Sequence, residues 1–198
     1  MSILENISKG ICIFLVFVTV PLLSKETFIP DPPSLNAQNY FLIDATTGKV
    51  LAENNSTGRI EPASLTKIMT GYVVADQIKE GFVNFEDKVF ISENCWRKGG
   101  SKMYIREGTY VSLADLIKGM VIQSGNDASC SIAEHIAGSE ENFVQLMMKY
   151  TNQLGMTETN FTNPHGWPEE DHFSTAKDLA ILTINLISNF PEHYSLYK

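Results

Sequence analysis

Two short constellations in this chain of 198 residues have the side chains that acyl transfer needs. The first is Ser64 and Lys67, three apart in "EPASLTKIMTGYVVADQIKEG"; the second is Ser124 and Asn126 in "QSGNDA". A serine hydroxyl is a weak nucleophile until an adjacent base takes its proton. Lysine is such a base only when neutral. Its reference pKa of about 10.4 must therefore fall by a few units through desolvation, neighbouring positive charge, or both. A helix N-terminus acts in the same direction, since its positive end disfavours an added cation and favours a developing oxyanion. Spacing alone is weak, because Ser195 and Lys198 repeat it at the chain end, and "SEN" at Ser92 and "SLN" at Ser34 imitate Ser-x-Asn. Only Ser64 begins an amphipathic helix, and only Ser124 lies in a tight glycine-containing turn between two apolar helices.

These side chains need particular elements to hold them. Pro62 suits a first helical turn, where its missing N–H is one that a helix leaves unpaired. The apolar series Ile68, Met69, Tyr72, Val73 and Ile78 continues that helix to Gly81. Ser64 and Lys67 then share the first turn and one face. Ahead of it, "NYFLIDATTGKVLAEN" reads as a β-hairpin. Beyond it, "EDKVFISENCWRKGGSKMYIREGTYV" reads as short strands and loops without a helical period. Ser112 with Asp115 opens a helix over "LADLIKGMVIQ", "SGN" interrupts it, and "DASCSIAEHIA" forms a second that closes at Gly138. Ser139 caps a third, whose stripe Phe143, Leu146, Met147, Tyr150 and Leu154 is core. Thr175 with Asp178 opens "AKDLAILTINLISNF", which Pro191 ends. A lone two-stranded hairpin is marginal, so either helices cover it or it needs further strands.

Composition sets wide limits. With 43% hydrophobic and 19% charged residues the chain suits one ordinary globular domain, and a net charge of −8 argues against nucleic acid as a partner. Lys9 precedes an apolar run from Ile11 to Leu23, short for a membrane span and suited to a signal peptide. Export is the expectation, with cleavage near Ser24 or Ala37 and an uncleaved anchor as the alternative. Cys95 and Cys130 can pair in an oxidising compartment or stay free; free thiols are the favoured expectation, with Cys130 buried on a helix. Neither has a ligand-spaced His or Cys partner, so no metal site is expected.

Together, "PASLTK", "QSGNDA", the hairpin "LIDATTGKVLAEN" and "NPHGW…STAKDLA" resemble the penicillin-binding serine D-alanyl-D-alanine carboxypeptidases, low-molecular-weight penicillin-binding proteins of the S11 peptidase type. The resemblance runs from about Asn39 to Lys198. It implies an α+β fold of the serine β-lactamase and transpeptidase kind, an antiparallel sheet flanked by helices plus an all-helical lobe, incomplete here. The implied domains are a signal peptide or anchor over 1–24, a linker over 25–38, and the N-terminal part of the catalytic domain over 39–198. The implied activity is removal of the terminal D-alanine from peptidoglycan stem pentapeptides. In it Ser64 is the acylated nucleophile, Lys67 its general base and Ser124 a proton relay to the departing D-alanine. Asn126 holds Lys67 and the substrate carbonyl, and the Ser64 N–H is half of the oxyanion hole. No cofactor is implied; β-lactams are implied as inhibitors, and the site of action as periplasmic or otherwise extracytoplasmic, with peripheral membrane association. The family's third element, Lys-Thr-Gly, occurs nowhere in these residues; "TTGK" has the wrong order.

Simpler readings stand beside these. Ser64 alone would be a helix cap, Lys67 a solvated surface lysine and Asn126 an N-cap. His165 reads as a hydrogen-bonding anchor, since Lys67 fills the base role. Asp127, Glu134 and His135 read as solvated or supporting helix residues, and "PEEDH" to His172 as a solvated face. A β-lactamase or transpeptidase on the same scaffold is an alternative. "SGN" in place of Ser-Asp-Asn and the lack of a Glu-x-x-Leu-Asn motif disfavour the β-lactamase. A non-catalytic remnant is the third reading, favoured by the missing Lys-Thr-Gly.

Overall fold

The computed structural model describes residues 35–198, so the apolar run at 11–23 and most of the 25–38 linker lie outside the described residues. None of the described helices is long and apolar enough to cross a membrane.

Helix α1 (Thr66–Lys79) is the axis of the fold, and a one-turn 3₁₀ segment, Ala63–Leu65, leads into it. An amphipathic stripe would bury one face, yet α1 is buried nearly all round. Met69, Tyr72 and Val73 pack into one apolar cluster with Phe143, Met147, Tyr150, Leu182, Leu186 and Phe190. Val74 enters a second with Val89, Ile91, Leu113, Leu116, Ile117, Met120 and Ile132. Helices α3 (Leu113–Gln123), α4 (Asn126–Ala137), α5 (Glu140–Leu154) and α6 (Ala176–Asn189) supply those surfaces around it. Because both clusters close on α1, its first turn is held from several sides.

Local chemistry sets the ends of these helices. Ser112, Ser139 and Thr175 each accept from the backbone N–H three residues on, at 3.2, 3.2 and 3.0 Å. The expected stripe on α5 is core, with Phe143 and Met147 fully buried. Pro191 ends α6 as expected and also opens a short helix, α7 (Pro191–Tyr194), followed by a 3₁₀ turn, Ser195–Tyr197.

The hairpin forms as read, β1 (Tyr40–Ile43) against β2 (Val50–Asn54) in antiparallel register Tyr40↔Asn54. Helix α6 packs on it, while Leu42, Val50 and Leu51 remain exposed. Two further antiparallel ladders are also two-stranded: β3 (Arg59–Ile60) with β6 (Ser174–Thr175), and β4 (Lys88–Phe90) with β5 (Tyr110–Ser112). The β3–β6 ladder fixes the chain just before Pro62. The irregular region also contains a short helix, α2 (Glu93–Arg97), which sequence reading missed. Its N-cap is Ser92, whose hydroxyl accepts from Cys95 N–H at 3.1 Å, so the "SEN" decoy is a capping sequence.

The favoured expectation of free thiols is wrong: Cys95 on α2 and Cys130 on α4 form a disulfide. Both sulfurs are fully buried, and α2 packs directly on α4, so the two thiols face each other once the helices meet. Glu134 lies beside the pair, but sulfurs bonded to one another offer no thiolate to a metal.

Candidate active site

The four residues singled out by sequence meet in one place, although they come from two turns far apart in the chain. Ser64 sits on the exposed 3₁₀ turn, and Lys67, one turn on, is only 5% exposed. Ser124 caps α3 in the left-handed region (φ 55°), and Gly125 is the N-cap of α4. This sharp reversal aims Ser124 Oγ at Ser64 Oγ, 3.0 Å away. Asn126 is the first residue of α4 and does not cap it. Its Oδ1 instead accepts from Lys67 Nζ at 2.8 Å while its Nδ2 donates to Gly99 O at 2.8 Å. Ala63, directly before Ser64, also has positive φ (46°), a conformation that costs a non-glycine residue on the order of 1–2 kcal/mol.

Lys67 Nζ has three oxygen neighbours: Asn126 Oδ1, His165 O at 2.7 Å and Ser64 Oγ at 3.3 Å. None is a carboxylate. Burial pushes the amine down from its ordinary value to about 8. A neutral amine keeps two N–H bonds. With Asn126 Oδ1 and His165 O able only to accept, its lone pair is left for the Ser64 hydroxyl proton. The site can therefore deprotonate Ser64 without an imidazole. A pocket of about 200 Å³ opens here, lined by Ser64, Lys67, Ser124, Met120 and Tyr197. A larger cleft of about 480 Å³ is lined by Asn126, Lys98, Gly99, Glu140, His165 and Trp167.

The third wall is the "NPHGW" turn. Asn163 Oδ1 accepts from the backbone N–H groups of Gly166 (2.7 Å), Trp167 (3.0 Å) and His165 (3.3 Å), winding the turn around one side-chain oxygen. Thr70 Oγ1 donates to Pro164 O at 2.6 Å, which docks the turn on α1. Gly166 has φ +84°, and a Cβ there would lie 1.8 Å from Ala63 O. No side chain fits between this turn and the Ser64 segment.

A family model described as D-alanyl-D-alanine carboxypeptidase, Peptidase S11, matches residues 26–198. The chain belongs to the S11 D-alanyl-D-alanine carboxypeptidase family. It is 39% identical to D-alanyl-D-alanine carboxypeptidase DacC of Escherichia coli over 203 residues, which cover all of this chain and 50% of that one. It also matches the solved structure of carboxypeptidase DacD from Francisella tularensis, with 43% identity and a TM-score of 0.83 over 85% of this chain and 41% of that one. Penicillin-binding protein D2 from Listeria monocytogenes, solved in an ampicillin-bound form, is 27% identical with a TM-score of 0.74, covering 82% and 66%. The chain thus spans about half the length of the curated relatives it matches. The fold is the α+β arrangement of penicillin-binding proteins.

Several residues of this S11 site were misread or unseen in the sequence. Asp127 takes the supporting one of the two roles read for it, but its partners were unseen: 1% exposed, its carboxylate accepts from the backbone of Met103 (3.0 Å), Tyr104 (3.0 Å) and Ile105 (3.4 Å). It thereby fixes the segment whose Ser101 O accepts from Asn126 N–H at 2.7 Å. His172 is 3% exposed and leaves the solvated face assigned to it. Its Nδ1 accepts from Thr162 N–H at 3.0 Å, so the ring proton lies on Nε2, 2.8 Å from Thr66 Oγ1. Burial lowers this ring to about 4, so it stays neutral. The carbonyl of His165 left no trace in sequence, because every residue has one.

Proposed function

We propose that residues 39–198 form the N-terminal part of a D-alanyl-D-alanine carboxypeptidase catalytic domain, and that Ser64 is its acylated nucleophile. The supporting observation is Lys67: buried, drawn down to about 8 by that burial, and held against Ser64 by two obligate acceptors. Neutral Lys67 takes the Ser64 proton as Oγ bonds to the carbonyl carbon of the penultimate D-alanine. The Ser64 N–H faces the developing oxyanion, worth roughly 3–4 kcal/mol for one such donor in other enzymes. When the peptide C–N bond breaks, Ser124, whose Oγ lies 3.0 Å from Ser64 Oγ, gives its hydroxyl proton to the departing amine and takes one from the Lys67 ammonium in its place. Water then cleaves the ester, restoring Ser64. Asn126 has a second Nδ2 hydrogen for the substrate carbonyl, since only one is used on Gly99.

Substrate in this reading is a peptidoglycan stem peptide, and β-lactams acylate Ser64 as stalled mimics, in keeping with the ampicillin-bound Listeria relative. The chain acts after export, periplasmic or otherwise extracytoplasmic and peripherally membrane-associated. The Cys95–Cys130 disulfide supports an oxidising compartment. The test is intact-mass spectrometry of the chain with excess benzylpenicillin, beside a Ser64→Ala control. A stoichiometric adduct absent from the control is expected. No adduct on a folded sample would favour the second reading, that these residues are catalytically silent without the Lys-Thr-Gly element, which is not among them.

A further inference from the structure

Glu140 takes no part in the chemistry above, yet it is a buried carboxylate close to it. It opens α5 immediately after its Ser139 cap, with a side chain only 14% exposed. One oxygen, Oε2, pairs with the Lys98 ammonium and accepts from Asn94 Nδ2 at 3.3 Å. The other, Oε1, is shut off from water and makes no hydrogen bond of normal geometry, and His165 Nε2 is the polar atom that faces it, at 3.4 Å. His165 Nδ1 accepts from Trp167 N–H at 3.2 Å, so the neutral ring carries its proton on Nε2, pointed at the carboxylate. The carbonyl of the same residue accepts from Lys67 Nζ. A chain of contacts therefore runs from Glu140 through His165 to Lys67.

We propose that Glu140 is a positioning residue for Lys67: by anchoring the His165 ring it seats the His165 carbonyl on the lysine amine. This rests on Lys67 being the base described above. Burial works to raise the Glu140 carboxyl, but the neighbouring His165 and Lys98 outweigh it and hold the group at about 2. The carboxylate is thus charged throughout the working range. Arg97, Glu141 and Glu169 line the same cleft, but Arg97 pairs with Glu93 and Glu169 accepts from Asn163 Nδ2. Lys98 balances the charge of Glu140 locally, so the influence on Lys67 is geometric.

The test is NMR on the full chain, following the Lys67 side chain through its titration and the His165 ring nitrogens for tautomer. The expected wild-type result is an Nε2–H tautomer and a Lys67 midpoint near 8. Glu140→Ala should scramble the tautomer and lower the midpoint by about one pH unit, since the ammonium loses a well-placed acceptor. Glu140→Gln, which keeps an acceptor for the ring, should restore the tautomer and most of the midpoint. Lys98→Met breaks the ion pair but not the His165 contact, and should leave both signals in place. Unchanged signals in folded Glu140→Ala would overturn the proposal, as would an equal shift in Lys98→Met. An Nδ1–H tautomer in the wild type would overturn it even if Glu140→Ala does not fold. None of these signals needs acylation, so a missing penicillin adduct would count against the acyl-transfer reading alone.

Discussion

Replacing Gly166 by alanine should damage this protein far more than the same change at Gly48, and the difference isolates one contact. Both glycines have positive φ, +84° and +71°. Alanine pays a backbone penalty on the order of 1–2 kcal/mol in that region wherever it stands. At Gly48 nothing lies within 4 Å of the added methyl, so that penalty is the whole effect. At Gly166 the methyl would sit 1.8 Å from Ala63 O and 3.0 Å from Thr66 Oγ1. Neither neighbour can yield cheaply: the carbonyl belongs to the 3₁₀ turn that carries Ser64, and Thr66 is fully buried against His172. The turn must instead lift by more than an ångström, breaking the Asn163 contacts and drawing His165 O away from Lys67. A total of roughly 4 kcal/mol or more is expected, in the range reserved for changes that disrupt a packed network. Thermal unfolding should move down by about 2–8 °C for Gly48→Ala and by about 8–16 °C or more for Gly166→Ala, given about 2–4 °C per kcal/mol at this chain length. Equal shifts for the two variants would show that the Gly166–Ala63 approach is not a constraint in solution, and the account of how this turn seats Lys67 would fall with it.

Four other outcomes are expected. Acylation of Ser64 by benzylpenicillin should rise about fiftyfold from pH 6 to 8 and level off above about 9, as an amine near 8 loses its proton; a stopped-flow profile that is flat, or still climbing tenfold per unit at about pH 9.5, would refute Lys67 as the base. Asn126→Asp puts a carboxylate where an amide oxygen now lies 2.8 Å from Lys67 Nζ, which should raise the lysine by about 1–3 units and cut acylation near neutral pH at least tenfold; unchanged rates in a folded variant would argue against it. Reducing the Cys95–Cys130 disulfide, which closes a separation of 35 residues, should remove about 3–4 kcal/mol and lower the melting temperature by on the order of 10 °C; identical melts with and without reductant would contradict this. Acid should destabilise the fold early, because burial lowers His172 and His193 to about 4 while the unfolded chain takes up protons from the ordinary 6.5. Between those values the unfolded state binds more protons, so the urea midpoint should fall as pH drops from 6.5 to 4, and a constant midpoint would refute it.

Residues whose chemistry and local signal coincide were legible in the sequence. Ser64 with Lys67 follows a helix-starting proline, Ser112, Ser139 and Thr175 each precede an apolar period, and the hairpin flanks its glycine. The structure places each of those elements where the pattern put it. What stayed hidden depends on tertiary placement. Asp127 and Glu134 follow one another along α4 and look alike as acidic helix residues. Only the arrival of the 103–105 backbone buries Asp127 and gives it three donors. The cysteine pairing was missed because α2, five residues long and capped by one serine, carries no period from which to place Cys95. His165 acts through its carbonyl, which no side-chain pattern can announce. Asn126 offered two roles, and packing chose: Gly125 took the cap position, leaving the amide to reach Lys67.

The character of this site follows from what surrounds the lysine. An amine can be made basic enough to act and neutral enough to be available by removing water or by adding positive charge. Here the first route operates alone, since burial accounts for the lowering of Lys67. That choice constrains every neighbour. A buried amine needs partners, but a carboxylate among them would return it to its charged form. Its two close acceptors are accordingly an amide oxygen and a peptide carbonyl. Neutral acceptors on side chain and backbone hold the amine only if both elements are rigid. The positive-φ residues Ala63 and Ser124 lie at the two turns that must be rigid, and Gly166 adjoins the third. Strain and close approach thus sit where the lysine's surroundings have to be exact in position, while the buried carboxylates nearby, Asp127 and Glu140, are kept one layer back, on backbone N–H groups in one case and on the Lys98 ammonium in the other.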